Sequence, residues 1–161
     1  MGDRQLVELR RIEFGGTVDT KSGPDEVVLK MLAASLNFRD QLVVHRGYGR
    51  ITGELPLVPI SDGVGEIVAV GEEVRRRKVG ERVCVCFNQL HVDGELTDGM
   101  MAGLLGGPLD GTASEYMSAE ETGVVLAPEH LDDLEAATLG CAAITRTGGT
   151  GKQIGNTVLF G

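Results

Sequence analysis

Twenty-four glycines are scattered along these 161 residues instead of gathering in one linker or tail, and that scatter limits the fold more than any other feature. The apolar runs between them are short, and glycine supplies the positive φ and close backbone approach that tight turns need. A chain so punctuated suits a barrel or sandwich of many short strands. Aromatic residues are scarce at 4%, yet hydrophobic residues reach 42%, enough for a core of ordinary density in one domain. The net charge of −9 opposes a nucleic-acid backbone or an anionic membrane surface as partner, because both would repel it. The basic cluster Arg75-Arg76-Arg77-Lys78 is framed by Glu72-Glu73 and Glu81, and is expected to be a solvated turn. Three cysteines, an odd number, argue against a disulfide framework. Cys84 and Cys86 would share one strand face as buried, reduced thiols. With no signal-peptide pattern and no apolar run approaching ~20 residues, a reducing cytoplasm is the expected compartment.

Along the chain, "QLVELRRIE" at 5–13 reads as a first strand and "VVLKMLAASL" at 27–36 as a second, with Gly23-Pro24 marking the turn between them. Residues 37–47, "NFRDQLVVHRG", read as a short helix capped by Asn37. "GEIVAV" (65–70) and "RVCVCF" (82–87) alternate as strands do. Periodicity dissolves over 88–111, and residues 94–108 are expected to form the most mobile internal segment. Two further strands are expected at 113–119 and 123–127. After Pro128 the spacing becomes helical over 131–146, with acidic residues crowding the first turn where the macrodipole favours them. A glycine-rich link at 148–155 leads into "NTVLFG". These signals divide the chain into a β-rich domain over 1–127 and, over 128–161, a helix with the first strand of a second unit.

Taken singly, the candidates for chemistry are modest. His91, Asp93, Glu95 and Asp98 could gather a cation, but they lack the spacing of an EF-hand loop, and a solvated loop is the plainer reading. "TGGTGK" (147–152) is not a phosphate loop, because the pattern requires glycine where Arg146 stands. Asn37, Arg39 and Asp40 cluster at a helix start, which capping and a surface ion pair would explain. Composition and spacing name no reaction.

Five segments together do more. "LNFRD" (36–40), "LPLVPISDGVGEIVAVGEEV" (55–74), "KVGERV" (78–83), "LDGTASEYMSAE" (109–120) and "LDDLEAATLGCAAIT" (131–145) resemble, in order and at about the right spacing, the medium-chain dehydrogenase/reductase family. That family holds zinc alcohol dehydrogenases and zinc-free quinone and enoyl reductases. The resemblance implies a mainly β, partly open GroES-like barrel with short helices. It also implies that "NTVLFG" begins a Rossmann domain whose G-x-G-x-x-G pattern would start at Gly161.

Zinc members of the family hold their metal with a cysteine, a histidine and a second cysteine. The resemblance puts Asn37, Ser61 and Cys141 in those slots, a set that would hold no catalytic ion. It therefore points to the zinc-free, quinone oxidoreductase-like branch, reducing a quinone, an enone or a related carbonyl with NADPH or NADH. Within that branch it implies that Asn37 faces the nicotinamide, that Thr145 approaches its ribose and that Gly161 begins the pyrophosphate site. Tyr48 is the candidate donor to the substrate carbonyl, and Ser61 with Asp62 would line the pocket floor; a turn held by their side chains is the other reading of that pair. A non-catalytic GroES-like domain or interaction module is the alternative function, and a zinc alcohol dehydrogenase the third. Partners are expected to be a small carbonyl or quinone substrate, with a homodimer or a complementary chain covering an apolar face near Leu139, Ala143 and Val158.

Overall fold

The structure, a computed structural model, describes residues 23–47, 49–141 and 157–160. Six strands form one antiparallel sheet: β1 (Glu26–Leu36), β2 (Asp62–Val70), β3 (Arg82–Val85), β4 (Tyr116–Glu120), β5 (Val124–Leu126) and β6 (Thr157–Phe160). Their order is β4-β1-β2-β3-β5. β4 pairs with Glu26–Lys30 and β6 with Ala33–Leu36, so the two follow one another along the edge of β1 that β2 leaves open. The architecture is mainly β with short helices, as the glycine scatter implied. The expected strand at 5–13 and the link at 148–155 lie outside the described residues.

β1 is the organising strand. Val27, Leu29 and Met31 alternate into the larger core with Ile67, Val83 and Val85. The register between β1 and β2 then shifts between Met31 and Ala33. A one-residue offset of this kind sends later side chains to the opposite face. Accordingly Ala33 joins a second core, with Val64, Cys84, Ala136 and Ala137. Gly65 makes the close pairing possible, since a Cβ there would lie 2.9 Å from the carbonyl oxygen of Lys30.

Several expected boundaries move, each for a visible reason. Helix α1 runs only from Phe38 to Val44. Arg46 takes a left-handed conformation (φ 56°) and the Gly47 N–H returns to the Leu42 carbonyl at 2.8 Å, which closes the helix. β4 starts at Tyr116 rather than 113, because Gly111, Thr112 and Ala113 give their N–H groups to Val58, Ile60 and Pro59. Helix α2 is one turn, Asp133–Ala136, where sixteen residues were expected. Beyond it the Thr138 and Leu139 N–H groups reach the carbonyls three residues back, and 137–141 are turn. Within 94–108 the second half is packed: Leu104 and Leu105 are 3% and 2% exposed, following a 3-10 helix at Asp98–Gly103.

Arg75–Lys78 lies in the irregular connection between β2 and β3; Arg75, Arg76 and Lys78 are exposed, while Arg77 is half-buried and donates to the Val124 carbonyl at 3.0 Å. Cys84 is buried and Cys86, just past the end of β3, only half-buried; both are free thiols. No helix among the described residues is long and apolar enough to cross a membrane.

Candidate functional site

Ser35 and Asp62 pair where the end of β1 meets the start of β2. Two residues on, Asn37 caps α1 with extended backbone (φ −117°, ψ 161°). Its N–H donates to the Asp40 carboxylate at 2.6 Å, one of the side-chain bonds that satisfy a helix's first amides. Its side-chain amide donates to Asp62 Oδ2 at 3.1 Å and lies 3.4 Å from the Ser35 carbonyl. Residues 25 apart in sequence thus meet through a polar bond between the first two long strands.

Ser61 and Asp62 are both 0% exposed, while Asn37 is half-exposed. Asp62 is not a loose turn residue: it opens β2, and its carbonyl accepts from the Thr112 hydroxyl at 2.9 Å. The Ser61 hydroxyl is buried without a hydrogen-bond partner among the described residues. Of the sequence candidates, then, Asn37 and Asp62 are joined and Ser61 lies beside them. Tyr48, Thr145 and Gly161 fall outside the described residues.

Arg39 and Asp40 correct the surface reading of the "NFRD" segment, since they are 7% and 4% exposed. The Arg39 guanidinium donates to the carbonyls of Leu105 at 2.8 Å and Gly107 at 3.1 Å. It lies 4.8 Å from the centroid of the Phe87 ring, within cation–π range, and 3.8 Å from Asp40 Oδ1. Burial raises the Asp40 carboxyl above its ordinary value, against the lowering pull of the Asn37 N–H and Arg39, and the Asp62 charge adds to the rise.

Cys141 completes the neighbourhood. Its thiol is pushed up to about 11, first by burial and then by the Asp62 charge. Gly140 allows the approach, because a Cβ there would come within 2.9 Å of the Val85 carbonyl oxygen and 3.1 Å of Asp62 Oδ1. An apolar groove lined by Val85, Phe87, Leu126 and Leu139 passes beside Gly140, and Phe38, next to Asn37, is 62% exposed. Sequence reading named Arg39 with Asn37 and Asp40 but took it for half of a surface ion pair, and it missed Gly140, because a glycine in a helical pattern has commoner explanations. Among the described residues no cluster of three His, Cys, Asp or Glu side chains could hold a metal ion.

Comparison with known proteins adds the family. A zinc-type alcohol dehydrogenase-like protein of Schizosaccharomyces pombe is 41% identical over 132 residues, 82% of this chain and 38% of that protein. The crystal structure of a protein assigned as an alcohol dehydrogenase from Sinorhizobium meliloti 1021 superposes with TM-score 0.69 at 38% identity, covering 80% of this chain and 40% of that one. A quinone oxidoreductase of Pseudomonas syringae pv. tomato DC3000 superposes with TM-score 0.60 at 26% identity, over 83% of this chain and 34% of its own. The chain therefore spans well under half the length of these relatives. The family model for the alcohol dehydrogenase GroES-like domain matches residues 23–129, which takes in the sheet from β1 to β5 and the Asn37–Asp62 pair, and the chain belongs to that family.

Proposed function

We propose that these residues form the substrate-side domain of a zinc-independent, NAD(P)H-dependent oxidoreductase that reduces a quinone, an enone or a related carbonyl. The carrying observation is the Asn37–Asp62 pair, a half-exposed amide held by a fully buried carboxylate. When bound, the nicotinamide supplies a hydride to the electrophilic carbon, and a proton completes the reduction at oxygen. By the family resemblance Asn37, the accessible member of the pair, would meet the nicotinamide end. Asp62 fixes the rotation of that amide from behind, and a charge-assisted bond of this kind is stronger than a neutral one. Phe38, exposed beside Asn37, offers an apolar surface to a flat ring.

The donor set does not fit zinc. Asn37 offers an amide that already donates to Asp62, Ser61 offers only a hydroxyl, and Cys141 is the one candidate thiolate of the three; zinc is held by sets of thiolate, imidazole and carboxylate. The name of the Schizosaccharomyces pombe relative speaks for a metal in that protein, whereas residues 37 and 61 speak against one here. Elemental analysis of protein purified without chelator is expected to find no stoichiometric zinc, and one zinc per chain would overturn the zinc-free branch. For the site itself, isotope-labelled protein titrated with millimolar NADPH is expected to show amide shifts at 35–40 and 60–63. Shifts confined to other segments, or none, would remove Asn37 from the cofactor.

A further inference from the structure

Ile60 is buried, at 3% exposure, and its φ is +72°. A β-branched residue in the left-handed region is a genuine outlier, held there only when its surroundings leave it no alternative. The surroundings here are specific. Gly106 lies so close that a Cβ on it would stand 2.8–2.9 Å from the Ile60 N, C and O atoms. A Cβ on Gly111 would overlap the Ile60 carbonyl oxygen outright. The Thr112 N–H donates to that same carbonyl at 2.9 Å, and the Thr112 hydroxyl to the Asp62 carbonyl at 2.9 Å.

These contacts close a ring. Asn37 bonds Asp62. Two residues past Asn37, Arg39 grips the carbonyls of Leu105 and Gly107, the neighbours of Gly106. Gly106 presses on the Ile60 backbone, and Ile60 directs the chain into Ser61 and Asp62. From this ring we infer that Ile60 is a positioning residue, its forced left-handed backbone setting the direction from which Asp62 reaches Asn37. Arg39 and Gly106 act through it. The inference rests on the reading of Asn37–Asp62 as the site and adds what holds that pair in place. Relaxation of residue 60 to negative φ would turn the following peptides and withdraw the Asp62 carboxylate from the amide.

The test uses the side-chain NH2 resonance of Asn37 in this chain, compared among wild type, Asp62→Asn and Gly106→Ala. Asp62→Asn removes the charged acceptor at nearly constant shape, so the resonance is expected to move and its solvent exchange to quicken. Gly106→Ala drives a methyl into the Ile60 backbone, and the same signal is expected to move in the same direction. If Asp62→Asn moves the resonance and Gly106→Ala leaves it at the wild-type position, the ring does not position the pair and the inference falls, while the reading of the site stands. If Asp62→Asn moves nothing, the pair does not form in solution and both fall. A second measurement survives any failure of Gly106→Ala to fold. Ile60→Gly and Ile60→Ala both delete the side chain, but only glycine is unstrained at φ +72°, so Ile60→Gly is expected to melt at the higher temperature. Equal melting, or the reverse order, would show that residue 60 is not left-handed and would overturn the inference.

Discussion

At Glu121 a single carboxylate oxygen receives three consecutive backbone N–H groups, those of Arg75, Arg76 and Arg77. Successive amides converging in this way form an anion nest, here filled by the protein's own side chain. These bonds hold the Glu121 carboxyl below its ordinary value. The sign follows from linkage: a depressed folded pKa gives stability that is present above the unfolded value near 4.5 and lost as pH falls through the folded one. Glu121→Gln is therefore expected to lower the denaturation midpoint at neutral pH and to flatten the acid limb of wild type, as urea titrations from pH 3 to 7 would record. An unchanged acid limb would mean that the nest is not formed. Cys141 carries the opposite sign. Its thiol is raised from 9.0 to about 11, so the folded state loses stability as pH climbs through that interval. Because the thiolate is the nucleophile, alkylation of Cys141 followed by peptide mapping is expected to reach half its limiting rate near pH 11. A midpoint near 9.0 would indicate an open thiol remote from Asp62.

Between elements, Arg82 does what no strand pairing can. Rooted on β3, its guanidinium donates to Asp133 at 2.7 Å and to the carbonyls of Pro128 and Leu131 at 2.8 and 2.7 Å. It thereby fixes the segment that leads into α2, itself capped reciprocally by Asp132 and Glu135. Hydrogen bonds to charged groups contribute roughly 1.5–3 kcal/mol each, less where solvent reaches them, and Arg82 is 29% exposed. Arg82→Ala is expected to destabilise the fold by about 2 kcal/mol, measured as a lower urea midpoint with unchanged slope. A loss under about 0.5 kcal/mol, the range of ordinary surface substitutions, would count against the anchor. The strand expected at 65–70 was legible because alternation survives there, although β2 begins earlier, at Asp62, and the acidic start of α2 was legible because its cap is local. The length of α2 was not: past Ala136 the chain tightens into turn, with the Thr138 and Leu139 N–H groups on carbonyls three residues back, and Gly140 then lies close against Val85 and Asp62, partners far away in the chain. Ile60 was illegible for the same reason. Nothing in "PLVPISD" announces a left-handed isoleucine, because Gly106, Gly111 and Thr112 impose it from elsewhere. Asn37 and Asp62 could be named as candidates from the resemblance, but their bond became visible only once the register of β1 on β2 was set.

For the whole molecule, the share of its relatives that the chain spans bears on what it can bind. The chain covers 38% of its Schizosaccharomyces pombe relative and 40% of the Sinorhizobium meliloti structure. It carries the Asn37–Asp62 pair, yet of the dinucleotide pattern that the resemblance places at its end it contains only Gly161. In that pattern the pyrophosphate is held by backbone N–H groups at a helix N-terminus, approached closely through further glycines. On the proposed reading of Asn37, the described residues would offer instead only the nicotinamide end of the contact, a few hydrogen bonds at ~0.5–1.5 kcal/mol net each. Binding must also offset the ordering of a flexible dinucleotide, estimated at ~4 kcal/mol or more for association in general. With a net charge of −9, long-range attraction for a polyanionic cofactor is absent as well. A polypeptide of these 161 residues is therefore expected to bind NADPH no tighter than about millimolar, near −4 kcal/mol, and not to reduce 1,2-naphthoquinone. Calorimetry and a quinone-reduction assay on the same preparation measure the two halves, and micromolar affinity with turnover would show that the pyrophosphate finds its donors within the GroES-like domain itself.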